Sequence, residues 1–213
     1  MTSPPKRTRR PEARPDEILD AALAVFTENG FAAARVEDIA IRAGLSKGAI
    51  YLYFPSKDAM LKALIERSVG ALARAGEQMV ASGAASDPEA AYRAVLTMIL
   101  TAMSDPNISA APRLVLAEAQ RFPELANYYR THVIDTGQRM IRALLAAGVE
   151  TGVFRRVDTD VAMRAFAGPV IAHMFLTAIF RLPGDPDLDP TDMANSIADI
   201  ILNGIKVGPG DPS

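Results

Sequence analysis

Residues 31–58 read FAAARVEDIAIRAGLSKGAIYLYFPSKD, and the punctuation of this stretch decides the fold. Val36, Ile39, Ala40 and Ala43 recur at the spacing of one helical face. Gly44-Leu45-Ser46 interrupts that period, and Ile50 and Phe54 resume it. Two short helices joined by a three- or four-residue turn containing Gly make a helix-turn-helix. Ala40 is small where the helices cross, Gly44 supplies the turn, and Leu45 plugs the space beneath. An ordinary helical hairpin shares this buried pattern. What points to DNA is the set the second helix turns outward: Ser46, Lys47, Gly48, Tyr51 and Tyr53.

Each of these has a separate physical role. The Ser46 hydroxyl can cap the helix or meet a phosphate, and free N–H groups at that end attract an anion. Lys47 sits where a recognition helix meets base edges, with guanine O6/N7 as its natural acceptor. Gly48 lets the helix approach the major-groove floor. Tyr51 offers a ring to thymine methyls and a hydroxyl to phosphate. Tyr53 and Lys57 suit backbone phosphates, which set register without carrying sequence.

Working outward, Pro, Asp and Gly divide the chain into further helical blocks. Pro15-Asp16-Glu17 opens a helix with Ile18, Ala22, Val25 and Phe26 on one face, and Asn29-Gly30 closes it. Asp87-Pro88 and Asp189-Pro190 each place a capping carboxylate before a first-turn proline. Ser104-Asp105-Pro106 ends the helix begun at Asp87, Phe122-Pro123-Glu124 opens another, and Asp158 or Thr159 caps one after the Gly152–Val157 break. No alternating strand pattern persists between turn signals. The expected fold is all-α, with about nine helices: an N-terminal three-helix DNA-binding domain and a larger C-terminal helical domain.

Composition narrows the function. The 213 residues contain no cysteine, 49% are hydrophobic and 23% charged, and the net charge is −2. Disulfides, thiolate metal sites and Cys nucleophiles are excluded. With only His132 and His173, a zinc site would rest mostly on carboxylates, so no metal or cofactor is implied. The nucleophile elbow, P-loop, dinucleotide fingerprint and HExxH pair are all missing, which argues against an enzyme. The N-terminus lacks a signal-peptide core, and the apolar stretch 165–180 is too short to span a membrane and contains Pro169 and His173. A cytoplasmic protein without a membrane partner is expected. Charge is polarised: residues 1–67 hold 11 Lys and Arg against 9 Asp and Glu, whereas 68–213 hold 12 against 16. Lys6, Arg7, Arg9 and Arg10 form a basic arm, a common phosphate-binding device.

The runs ILDAALAVFTENGF (18–31) and VEDIAIRAGLSKGAIYLYFPSK (36–57) resemble the DNA-binding domain of the TetR/AcrR family of bacterial transcriptional regulators. The resemblance implies a homodimeric, all-helical repressor whose C-terminal domain binds a small effector. Carried over by position, DNA contacts fall on Ser46, Lys47, Gly48, Tyr51, Tyr53 and Lys57. Arg35 stands where a Thr usually caps the second helix, losing a cap worth about 1 kcal/mol but gaining a cation that can reach phosphate. Ala49 stands where a Thr is frequent, so that hydroxyl contact is absent. The expected organisation is a disordered arm over 1–13, a DNA-binding domain over 14–74 and an effector-binding, dimerising domain over 75–208.

A long helix from about Lys57 should link the two domains. Beyond it, Met98, Met103, Tyr128, His132, Met140, Phe166 and Met174 are the candidate lining of a pocket for an apolar or amphipathic effector, because thioethers and rings adapt to such ligands. Glu118, Arg121 and Arg139 are candidate polar orienters. Ala165, Gly168 and Ala172, extended by Val161, Phe175, Leu176 and Ile179, together with Met193, Ile197, Ile200, Ile201 and Gly204, give the last two helices more apolar surface than one core requires. A homodimer through these helices, reading a double-stranded palindromic operator, is expected. The alternative is a constitutive DNA-binding dimer whose C-terminal domain meets a protein partner.

Overall fold

The computed structural model describes residues 14–84 and 86–206. α1 (Arg14–Asn29), α2 (Val36–Ala43) and α3 (Lys47–Tyr51) form the N-terminal head. α4 (Lys57–Ile65) continues through a π-turn, Glu66–Gly70, into α5 (Ala71–Gly83). α6 (Pro88–Ser104) and α7 (Pro106–Glu118) follow. α8 (Pro123–Tyr129) passes through a second π-turn, Arg130–Ile134, into α9 (Asp135–Glu150). α10 (Thr159–Ala178) and α11 (Pro190–Ile205) complete the order. Because the π-turns merge two pairs of segments, the described residues form nine continuous helices, as the punctuation predicts. The only β pairing among them is an isolated bridge between Phe154 and Lys206.

Side-chain caps set most of the boundaries. Ser46, Ser56, Asp87, Asp105, Asp158 and Asp189 each accept an N–H of the turn that follows. A cap of this kind contributes about 1 kcal/mol. Gly30 (φ 75°) and Gly44 (φ 65°) end α1 and α2 in the left-handed region, which a side chain would strain.

Two apolar cores result. The first joins Ile18, Phe26, Phe31, Ile39, Ile50 and Leu61 of the head region to Met103, Ala111, Val115 and Leu125. Phe31 makes edge-on contacts with Phe26 and Phe122, at 5.1 and 5.2 Å between ring centres. The head is therefore welded to α7 and the start of α8, across the division expected at residue 74. The second core packs α5, α6 and α9 with α10 and α11 around Leu96, Leu100, Leu144, Phe154, Phe166 and Ala198. The helical run from Lys57 to Gly83 spans both cores. No described helix is long and apolar enough to cross a membrane. The basic arm at 6–10 lies outside the described residues.

Candidate nucleic-acid interface

The reading tip is built from its turn outward. The Gly44 N–H donates to the Ile41 carbonyl at 3.1 Å and the Leu45 N–H to the Ala40 carbonyl at 2.9 Å, which stops α2. Ser46 Oγ accepts from the Ala49 N–H at 3.2 Å and starts α3. Ile39, Ala40 and Ile50 are buried beneath, so α3 has one inward side chain to anchor it and its other faces turned out.

Arg35, Ser46, Lys47, Gly48, Tyr51 and Tyr53 are all exposed, and Ala49 is half-buried. Arg35 is the N-cap residue of α2 and makes no side-chain cap. Lys47 Nζ lies 5.9 Å from the Tyr51 ring centre and donates to Glu37 of α2. The hydrogen bond from Lys47 holds the Glu37 carboxyl below its usual range, and Glu37 raises the Lys47 ammonium in return. Both groups are about half exposed, so the pair is worth little and can open when a nucleic-acid acceptor competes. Gly48 supplies the most telling geometry. A Cβ built there meets nothing within 4 Å, and its φ is not positive. The fold gives no reason for a glycine, which weakens a helix.

Lys57 is placed differently from the sequence expectation. Its Nζ donates to the carbonyls of Phe31 and Ala32 at 2.8 and 2.9 Å and lies 3.4 Å from that of Ala34. It also sits 4.8 Å from the Phe31 ring centre. The ammonium faces the α1–α2 turn rather than solvent and holds that turn against the start of α4. Sequence reasoning also passed over Glu37, although an acid in the first turn of α2 is the visible signal for a partner to Lys47. Ile41 and Leu52, at 78% and 84% exposure, are the other large side chains it did not place at the tip.

The candidate effector residues are spread over both cores. Met103 and Tyr128 belong to the first core, whereas Met140 and Phe166 belong to the second. Met98 and Met140 meet at Gly76, where a Cβ would lie 2.7 Å from Met140 Sδ and 3.3 Å from Met98 Cε. Phe166 packs edge-on against Tyr92 at 5.4 Å, and Met174 is buried. His132 is exposed and stacks on Tyr128 at 4.0 Å. Among the proposed orienters, Arg139 pairs with Glu77 and Arg121 lies over Phe122.

The fold and this tip define the class: a two-core, all-helical DNA-binding regulator of the helix-turn-helix type. Residues 18–64 match the bacterial regulatory proteins of the tetR family, and residues 90–203, more than half the chain, match the C-terminal domain of AefR-like transcriptional repressors. The chain belongs to the TetR family of transcriptional regulators. It is 25% identical over 195 residues to a fatty acid metabolism regulator protein of Bacillus subtilis, covering 89% of this chain and 94% of that one. It is 29% identical over 169 residues to the transcriptional repressor KstR2 of Rhodococcus jostii, covering 77% and 80%. The solved structure of the ketosteroid transcriptional regulator KstR2 of Mycobacterium tuberculosis superposes with a TM-score of 0.68 at 25% identity, covering 93% and 98%.

Proposed function

We propose that this regulator is a ligand-responsive repressor that works in the cytoplasm and binds a palindromic operator as a homodimer. The observation that carries the DNA reading is the outward face of α3 after the Gly44 turn, where Ser46, Lys47, Gly48 and Tyr51 are exposed while Ile50 is buried. Arg35, Ser46, Ala49 and Tyr53 frame the same surface. The homodimer is supported by α10 and α11, where Val161, Leu176, Ile179 and Ile200 stand more than half exposed on one chain. Ala165, Gly168 and Ala172 are exposed between them, so a second helix can come close. Two tips related by a two-fold axis enter successive major grooves when they lie roughly 34–36 Å apart. An apolar or amphipathic effector that favours another spacing releases DNA, with a coupling of about 1–3 kcal/mol. Relatives named for fatty acid metabolism and ketosteroids support an effector with a large apolar body.

The test is selection of bound DNA from a random pool, followed by titration of the wild type and Lys47→Ala. The variant is expected to lose about 1–3 kcal/mol on the selected operator and little on random DNA. An equal loss on both would remove Lys47 from base reading. One observation favours the second reading, a constitutive dimer with a protein partner: of the candidate effector residues, Met103 and Tyr128 belong to one core and Met140 and Phe166 to the other. A diverse panel of lipophilic compounds that neither shifts thermal stability nor releases operator would select that reading.

A further inference from the structure

Among the described residues, a single ion pair involves the recognition helix, and its acid comes from the helix before it. Lys47 opens α3, Glu37 stands in the first turn of α2, and Lys47 Nζ lies 2.5 Å from Glu37 Oε1. The other ion pairs of the head join α1 to α2 through Glu28 and Arg42, and α1 to the first π-turn through Asp16, Asp20 and Arg67. Those tie helices of the head together. The Lys47–Glu37 pair instead bridges the beginnings of two helices whose connection is already fixed by the Gly44 turn and the Ser46 cap.

The placement gives the carboxylate a role on the reading surface. Both side chains are about half exposed, and the Tyr51 ring borders Nζ at 5.9 Å. An ammonium has three donors, so Glu37 occupies one and leaves two for guanine O6 and N7. The lysine that Glu37 holds has less rotamer freedom to lose when it meets that edge. A guanine edge is uncharged and can share the ammonium with a carboxylate. A phosphate sharing it would bring a second anion beside Glu37, and like charges set together are costly. The first helix of a helix-turn-helix crosses the phosphate backbone, so α2 carries this acid where the repulsion is felt.

We infer that Glu37 is a specificity residue: it holds Lys47 toward base edges and penalises the use of that lysine on phosphate. The inference rests on the base-reading role proposed above for Lys47 and supplies the device behind it. Specificity is a difference of affinities, and an acid that disfavours the wrong contact widens the difference.

Titration of the full chain with the selected operator and with a random duplex of equal length tests this through the ratio of the two affinities. Glu37→Gln keeps the length and an acceptor but removes the charge. It should tighten random DNA by about fivefold and leave the operator within about twofold, so the ratio falls by about fivefold. Glu37→Ala removes the acceptor as well and should also weaken the operator by about threefold. In the Lys47→Ala background the acid has no lysine to direct. There Glu37→Gln should tighten both duplexes alike and leave the ratio unchanged. A partial folding defect scales both affinities together and cancels in the ratio. An unchanged ratio in Glu37→Gln, or the same fall in the Lys47→Ala background, overturns the inference. A ratio that falls in Lys47→Ala but not in Glu37→Gln overturns the inference alone and leaves Lys47 as a base reader. A ratio unmoved by Lys47→Ala overturns the base-reading role, and the inference with it.

Discussion

Three backbone carbonyls face Lys57 Nζ across the α1–α2 turn. Replacing Lys57 by Met keeps the aliphatic stem and removes the donors. Hydrogen bonds from a charged group contribute about 1.5–3 kcal/mol. Lys57→Met should therefore lower the unfolding free energy by about 2 kcal/mol in urea titration, with the salt dependence of DNA binding unchanged. A lowered salt slope at unchanged stability would return Lys57 to the phosphate role that the sequence suggested. His173 makes a second prediction. Burial pushes its imidazole below the ordinary value. Its bonded neighbour is Ser104, and Arg181, Asp185, Asp187 and Asp189 line a groove with it. The unfolded chain binds a proton as pH falls through about 6.5, whereas the folded chain resists it. Stability should thus be fully present above that value and decline between about pH 6.5 and the lower folded value, and His173→Gln should flatten this decline. Of these residue-scale features, the cationic tip was legible because Lys47 follows a turn. The inward course of Lys57 was not, because its acceptors lie 23–26 residues away.

Helices here are positioned by glycines at close approaches as much as by apolar faces. Gly148 on α9 lies under the loop that follows it, and the Val153 and Phe154 N–H groups both donate to its carbonyl at 2.9 Å. A Cβ on Gly148 would fall 1.9 Å from the Phe154 ring, which is itself buried in the second core. Gly148→Ala should cost at least about 1–3 kcal/mol, the usual penalty of overpacking. A thermal melt is expected to fall by about 2–4 °C per kcal/mol, and an unchanged melting temperature would mean that the loop can swing away freely. The helix boundaries themselves were readable, since Asp-Pro and Ser caps act within a few residues of where they stand. The two π-turns were not. Each adds one residue to a turn, and in Arg130–Ile134 neither Gly nor Pro marks the site.

At the level of the molecule, the first core ties the head to α7 and α8 while the second leaves an apolar stripe on α10 and α11. The first arrangement puts the head in direct contact with the start of α8, through Phe31 and Phe122. The second is the face on which we propose that a second copy packs. Leu176→Asp with Ile200→Asp, at positions 62% and 77% exposed, should leave the chain folded yet give a monomer in sedimentation. The same double variant should lose binding to a palindromic operator. For the wild type, six to ten phosphate contacts would lower affinity by about 10³–10⁵ between 50 and 200 mM salt. A flat salt profile would count against phosphate contacts by the tip, given a chain whose net charge is −2.

What the sequence determined by itself was the helical class, the place of the helix-turn-helix and the caps that begin and end most helices. Periodicity and capping are local, and the residues that carry them stand three or four positions apart. Only the tertiary structure decided which side chains meet at long range. It turned Lys57 inward, divided the methionines and aromatic rings between two cores, and brought Ser104 to His173 beside a groove. Packing of distant segments sets these pairings, and the order of residues along the chain carries no record of it.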